Sequence, residues 1–202
     1  MSVEQSNDEE DRKGPRGLHI PIGIPVGPRE SDKGTIFLVR CGNEFYDLTL
    51  DEYRIWWACF EAPDNEGLAK LTTDVALEDL HRSMVRITKD HLIFRIGDSE
   101  EANSQWLRTH KLIGIGFGLG QTSDQALFGI GGRDLAVRVA VDSVLYMIWI
   151  GTGGNESMWE ACEAGAEAIG ESVGFVAEHL LEALPGMIRA GVAMVDEVQE
   201  AH

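Results

Sequence analysis

The side chains best able to do chemistry in this 202-residue chain are six histidines (His19, His81, His91, His110, His179, His202) and three cysteines (Cys41, Cys59, Cys162). No histidine belongs to an H-E-x-x-H run, the spacing that puts two imidazoles and a carboxylate on one helix face for zinc hydrolysis. His179 stands beside Glu178 and within a turn of Glu182, which reads more simply as a solvated acidic helix face. The cysteines have no C-x-x-C partner and no histidine at short range, so they define neither a disulfide framework nor a zinc site. They read as small buried hydrophobes in a reducing compartment, which points to a cytoplasmic protein. The run Gly114-Ile-Gly116-Phe-Gly118-Leu-Gly120 has glycine at alternate positions only, so it misses the dinucleotide spacing and lacks the Gly-Lys-Ser/Thr end of a phosphate loop. No serine sits in G-x-S-x-G. No catalytic residue, metal ligand or cofactor site is assigned, and the chain is read as non-catalytic.

What is left is contact chemistry. Arg82, Arg86 and Lys89 recur at steps of four and three, one face of a helix, with Arg95 close behind in sequence. Such a patch can meet a partner protein or a phosphate backbone, or simply face water. Glu178 and Glu182, one turn apart, form the opposite candidate face. The formal net charge is −17, and residues 135–202 hold eleven acids against Arg138 and Arg189 alone. A field of that sign repels nucleic acid and anionic membrane and steers basic partners. The function expected is an adaptor or regulator acting through protein–protein contacts. The alternative is a DNA-binding regulator that reads through its first half and dimerises through its second.

The elements that must position these residues are an α+β set. Residues 1–34 read as a flexible arm, because repeated Pro and Gly in HIPIGIPVGP oppose a helix or a central strand. Residues 35–40 and 45–48 read as strands about a Gly42–Asn43 turn. Thr49 with Glu52 makes a capping box for a helix that stops before Pro63. A short helix is expected near 68–71. A longer one spans 76–88, with Leu77, Leu80, Met84 and Ile87 as its buried stripe. A strand follows at 91–97. Residues 98–134 read as a glycine-rich apolar connector whose Trp106, Leu112, Ile113, Ile115, Phe117 and Leu119 should be buried at a seam, Trp106 and Phe117 being candidates for seam or partner contact. Leu112–Leu119 reads as a strand or a strained loop, and 126–130 and 135–139 are short strand candidates around the Gly131–Gly132 turn. Beyond it come a helix from Asp142, a helix at 158–169, a helix at 175–188 containing Pro185, and a last strand at 192–195. No apolar run is long enough for a membrane span.

The chain also echoes itself. Leu48–Trp57 aligns with Val141–Ile150 at an offset of 93, with Tyr, Ile and Trp in step. Glu78–Leu92 aligns with Glu178–Val192 at an offset of 100. The shared order of strand, helix, short helix, longer helix and strand resembles the winged-helix group of helix-turn-helix modules, over residues 35–97 and 135–198 within a second module of 135–202. The resemblance implies third helices near 76–89 and 176–189, wings at 90–95 and 190–195, and contact with DNA or protein through them. The expected architecture is therefore two winged-helix-like modules with small β-hairpins, packed through the 98–134 connector, with a homodimer as a further possibility.

Overall fold

The computed structural model describes residues 17–32, 34–97 and 99–198. Its first departure from expectation is the N-terminal arm. Residues 19–31 form two strands, β1 (His19–Pro21) and β2 (Ile24–Ser31), while residues 1–16 lie outside the described residues. The prolines are tolerated because β1 belongs to a two-stranded sheet and β2 is an edge strand, where a missing N–H costs no ladder bond. Burial supplies the driving force: Ile20 and Ile22 are fully inside. β2 pairs with β3 (Gly34–Cys41), which turns through Gly42, in the left-handed region at φ 57°, into β4 (Glu44–Leu48).

The Thr49 capping box forms as expected, with the Glu52 N–H donating to Thr49 Oγ1 and the Thr49 N–H to Glu52 Oε2. It starts α1 (Leu50–Glu61), followed by α2 (Asn65–Leu71) and α3 (Leu77–Lys89). The cap of α3 is Ala76, without a side-chain bond, so Leu77 is the first helical residue and sits 79% exposed instead of buried in the stripe. β5 (Ile93–Arg95) then returns antiparallel to β1. It is a single strand and not a hairpin wing.

Residues 98–134 do more than connect, and strands form close to the candidates at 112–119, 126–130 and 135–139. Of this stretch, α4 (Glu100–Thr109) is the part that runs between the halves. After it come β6 (His110–Gly114), β7 (Phe117–Gln121) and β8 (Phe128–Gly131); β9 (Val137–Val141) completes a three-stranded sheet in the order β7-β8-β9. Phe117, expected at a seam, is half exposed on the β7 edge strand, while Trp106 and Leu112 are buried. The helices are α5 (Ser143–Ile150), a 3-10 turn at Gly151–Gly153, α6 (Met158–Ile169) and α7 (Val173–Arg189). α7 runs through Pro185. The last strand, β10 (Ala193–Glu197), pairs with β6, again in place of a wing hairpin.

The same contacts recur in both halves. Trp56 Nε1 donates to the Leu92 carbonyl at 3.1 Å, and Trp149 Nε1 to the Val192 carbonyl at 2.7 Å. Onto those same carbonyls fold the N–H groups of Ile22 and Ile115, at 2.9 and 2.8 Å. Phe37 stacks on Tyr53 at 4.7 Å, and Phe128 on Tyr146 at 4.8 Å. β2 is bulged between Pro25 and Gly27, and β7 between Gly118 and Gly120. The third helix ends in a left-handed residue each time, His91 and Gly191.

One hydrophobic core runs through both halves. α4 bridges them: Trp106 stacks on Phe94 of the first at 4.4 Å, and the Arg108 guanidinium lies 3.9 Å over the Trp159 ring of the second. α1 also packs on α7. The most buried polar link is Asp196, which has no solvent exposure. It accepts from Arg40 Nη2 at 3.1 Å and from the Gly42 N–H at 2.8 Å, tying β10 to the β3–β4 turn.

Candidate protein-binding surfaces

Two adjacent tryptophans on α1 face different environments because neighbouring helix residues are about 100° apart. Trp56 is fully buried, and Trp57 is 41% exposed. The outward side of α1 forms an open groove of about 440 Å³ with β3 and α2, floored by Phe37, Tyr53 and Trp57 and edged by Leu50 and Leu71. The rings form a row, Phe37 to Tyr53 at 4.7 Å and Tyr53 to Trp57 at 6.0 Å. Charge on the rim is mainly negative. Arg54 is engaged by Asp74 at 2.7 Å and by Asp51 at 3.9 Å, leaving exposed Glu61 as a further carboxylate. Aromatic faces next to carboxylates suit an apolar side chain with an adjacent ammonium or guanidinium.

The basic residues singled out in the sequence do share one helix. Arg82, Arg86 and Lys89 all lie exposed on α3, and Arg95 lies exposed on β5. Two of them are already occupied. Arg82 pairs with Asp79 at 2.8 Å. Arg86 donates to buried Glu52 at 2.7 Å and to the Asp47 carbonyl at 3.2 Å, and lies 3.6 Å from Asp90. Its role is to tie α3 to the start of α1. Glu178 and Glu182 are exposed one turn apart on α7. The groove residues Leu50, Trp57 and Leu71 were not recognised as a surface. The usable signal was the Trp56–Trp57 pair, since both rings cannot point into one core.

The titratable groups are tuned by burial and structure. Burial pushes the thiols of Cys41, Cys59 and Cys162 up to about 12, which keeps them protonated and poorly nucleophilic. Burial drives the His110 imidazole down to about 4. Burial opposes the charge on Asp142, but the N–H groups of Leu145 and Val144, together with His179, outweigh it and hold its carboxyl below the usual range. The Asp142–His179 contact ties the N-cap of α5 to α7. Among the described residues no three His, Cys, Asp or Glu side chains are grouped to hold a metal ion, and no helix is long and apolar enough to cross a membrane. In comparisons with known proteins, the chain matches no family model, no curated protein and no solved structure.

Proposed function

We propose that this chain is a non-catalytic adaptor or regulatory protein, and that the aromatic groove on α1 docks a partner segment carrying an apolar anchor beside a lysine or arginine. The observation that carries the reading is Trp57, a large side chain 41% exposed in a concave aromatic row with carboxylates at its edge. Leaving such a ring in water forgoes burial free energy that a partner can recover, and tryptophan is the residue type that most often dominates interface energetics. The acidic face at Glu178 and Glu182 and the net charge of −17 support a basic partner by steering. Three buried reduced thiols support a cytoplasmic location.

The winged-helix-like reading of the two modules rests on the helix order after each three-stranded sheet. Within it, DNA contact through α3 is the weaker alternative. Arg82 and Arg86 are already paired with carboxylates, and Leu77 and Val85 stand exposed beside them, a surface poor in phosphate donors. The test is a phage-displayed random peptide library selected on the wild-type chain and counter-selected on Trp57→Glu. The expected result is enrichment of peptides that pair an aromatic or aliphatic residue with Lys or Arg and lose binding to the variant. Enriched peptides that bind the variant equally well, or no enrichment, would overturn the groove as the docking surface.

A further inference from the structure

α3 and α7 are the third helices of their halves, yet one face differs sharply between them. Ala177 and Leu181 of α7 are buried, with exposures of 5% and 6%. α7 packs against α5, α6 and, across the halves, α1. The matching positions on α3 are Leu77 and His81, and Val85 continues the row at the next i+4 step. Leu77 is 79% exposed, Val85 56% exposed, and His81 exposed between them. Together with Glu78 and Arg82 they line an open concavity of about 710 Å³. The first half thus leaves bare a helix ridge that the chain itself covers in the second.

We infer that this α3 face is the contact between two copies of the chain, packed antiparallel about a twofold axis passing near His81. The argument is self-complementarity. The ridge Leu77–His81–Val85 follows the i±4 rows through which helices commonly interdigitate, and it is about 12 Å long at 1.5 Å per residue. With His81 at the axis, Leu77 of one copy meets Val85 of the other on both sides of the centre. Charge follows the same symmetry. The first turn of α3 carries Glu78 and Asp79, and its later turns carry Arg82, Arg86 and Lys89. Antiparallel packing lays each acidic start along the other copy's basic end, and the two helix dipoles oppose. A parallel arrangement would set like charges together. The net charge of −17 opposes association at long range, but physiological salt screens it beyond about 8 Å. One helix face per copy is a small interface, so the dimer is weak and reversible. This surface is separate from the α1 groove, and the two readings stand or fall independently.

The test is sedimentation equilibrium of the full chain from micromolar to millimolar concentration at physiological ionic strength. Wild type should show a reversible monomer–dimer equilibrium, and Leu77→Glu and Val85→Glu should each weaken it by about tenfold or more. Both positions are exposed, so circular dichroism should show the monomer fold unchanged. Glu78→Arg and Arg82→Glu should each weaken association, and the double variant should recover most of it, which surface apolarity alone would not produce. A wild type that stays monomeric throughout, a dimer indifferent to Leu77→Glu and Val85→Glu, or a charge-swapped double variant no better than its singles would each overturn the twofold α3 contact.

Discussion

The halves around Trp56 and Trp149 solve the same packing problem with different residues. Residues 20–27 read I-P-I-G-I-P-V-G, and residues 113–120 read I-G-I-G-F-G-L-G, at the same offset of 93 that aligns the tryptophans. Both stretches pass through a left-handed glycine, Gly23 and Gly116, and both bulge two residues later, at Pro25–Gly27 and Gly118–Gly120. The first half stiffens the path with Pro21 and Pro25. The second uses glycine there, and at Gly118 it needs to, because a Cβ would collide with the Tyr146 hydroxyl. What the comparison teaches is that backbone geometry and the tryptophan-to-carbonyl bond are common to the halves, whereas side-chain volume in the leading strand is free to vary.

The largest expected effect comes from breaking the anchor itself. Trp56 is fully buried and its indole N–H is shared between the Ile22 and Leu92 carbonyls, while Trp149 is 7% exposed and serves one carbonyl. Trp56→Ala should cost about 4 kcal/mol and Trp149→Ala about 3 kcal/mol, read as shifts in the urea unfolding midpoint. Because one core spans both halves, each variant should still unfold in a single transition. Two separated transitions would show that the halves are energetically independent.

A step down in size are the left-handed glycines. A Cβ at Gly116 would sit on the Gly131 carbonyl oxygen, and one at Gly23 would lie 2.7 Å from the Arg40 carbonyl oxygen. Gly120 is also left-handed but has open space around it. Gly116→Ala and Gly23→Ala should each cost about 3 kcal/mol, and Gly120→Ala about 1 kcal/mol, in the same urea titration. Equal costs at all three would mean that φ alone, and not the close approach, is what the repeated glycine protects.

These glycines also mark where the sequence was legible and where it was not. The capping box at Thr49, the Gly42–Asn43 turn and the helices at 50–61, 77–89 and 158–169 rest on local chemistry, and the structure places them close to where local rules do. The strands at 19–31 are hidden because Pro and Gly, taken one residue at a time, oppose a strand. Residues 20–27 read as an arm and 112–119 as a strand or a strained loop, yet aligned at the offset of 93 they are one pattern, in which Ile20 and Ile22 are buried and Ile113 and Ile115 half-buried. The proposed contact surfaces were harder to see. A period of 3.6 places Leu77 on the buried stripe, but only tertiary context shows that α3 starts at Leu77 and that this turn stands exposed among the described residues.

Asp196 tests the link between the halves. Its carboxylate holds Arg40 and the Gly42 N–H across the interface, and the matching residue of the first half is Ile96, buried without such a role. Asp196→Ala strands a buried N–H and a partly buried guanidinium and should cost about 2–3 kcal/mol. Asp196→Asn, which can still accept from Gly42, should cost less. A negligible loss for both would mean that apolar packing through α4 and α1 carries the junction without its polar latch.

The smallest effect separates the halves by acidity. His110 begins β6 at the position where the first half has Gly17. Its Nδ1 donates to the Trp106 carbonyl at 2.9 Å, and the side chain is 7% exposed. Burial is the main cause of its imidazole falling from 6.5 to about 4, with the nearby His91 adding to it, while the bond to Trp106 and the charge of Asp196 pull the other way. The sign follows from proton counting. Between those values the unfolded chain binds a proton that the folded chain refuses, so stability falls as pH drops below 6.5, and the loss is complete once pH passes below about 4. At pH 5 the loss from this group should be about 2 kcal/mol, at about 1.4 kcal/mol per unit. Carboxylates elsewhere also titrate, so the quantity to read is the difference between wild type and His110→Gln at pH 7 and at pH 5. The variant should be the less stable at pH 7, where the buried imidazole and its bond to Trp106 are lost, and should close the gap by about 2 kcal/mol at pH 5. A gap that stays constant with pH would mean that His110 accepts its proton in place, and that the seam beside Trp106 admits water.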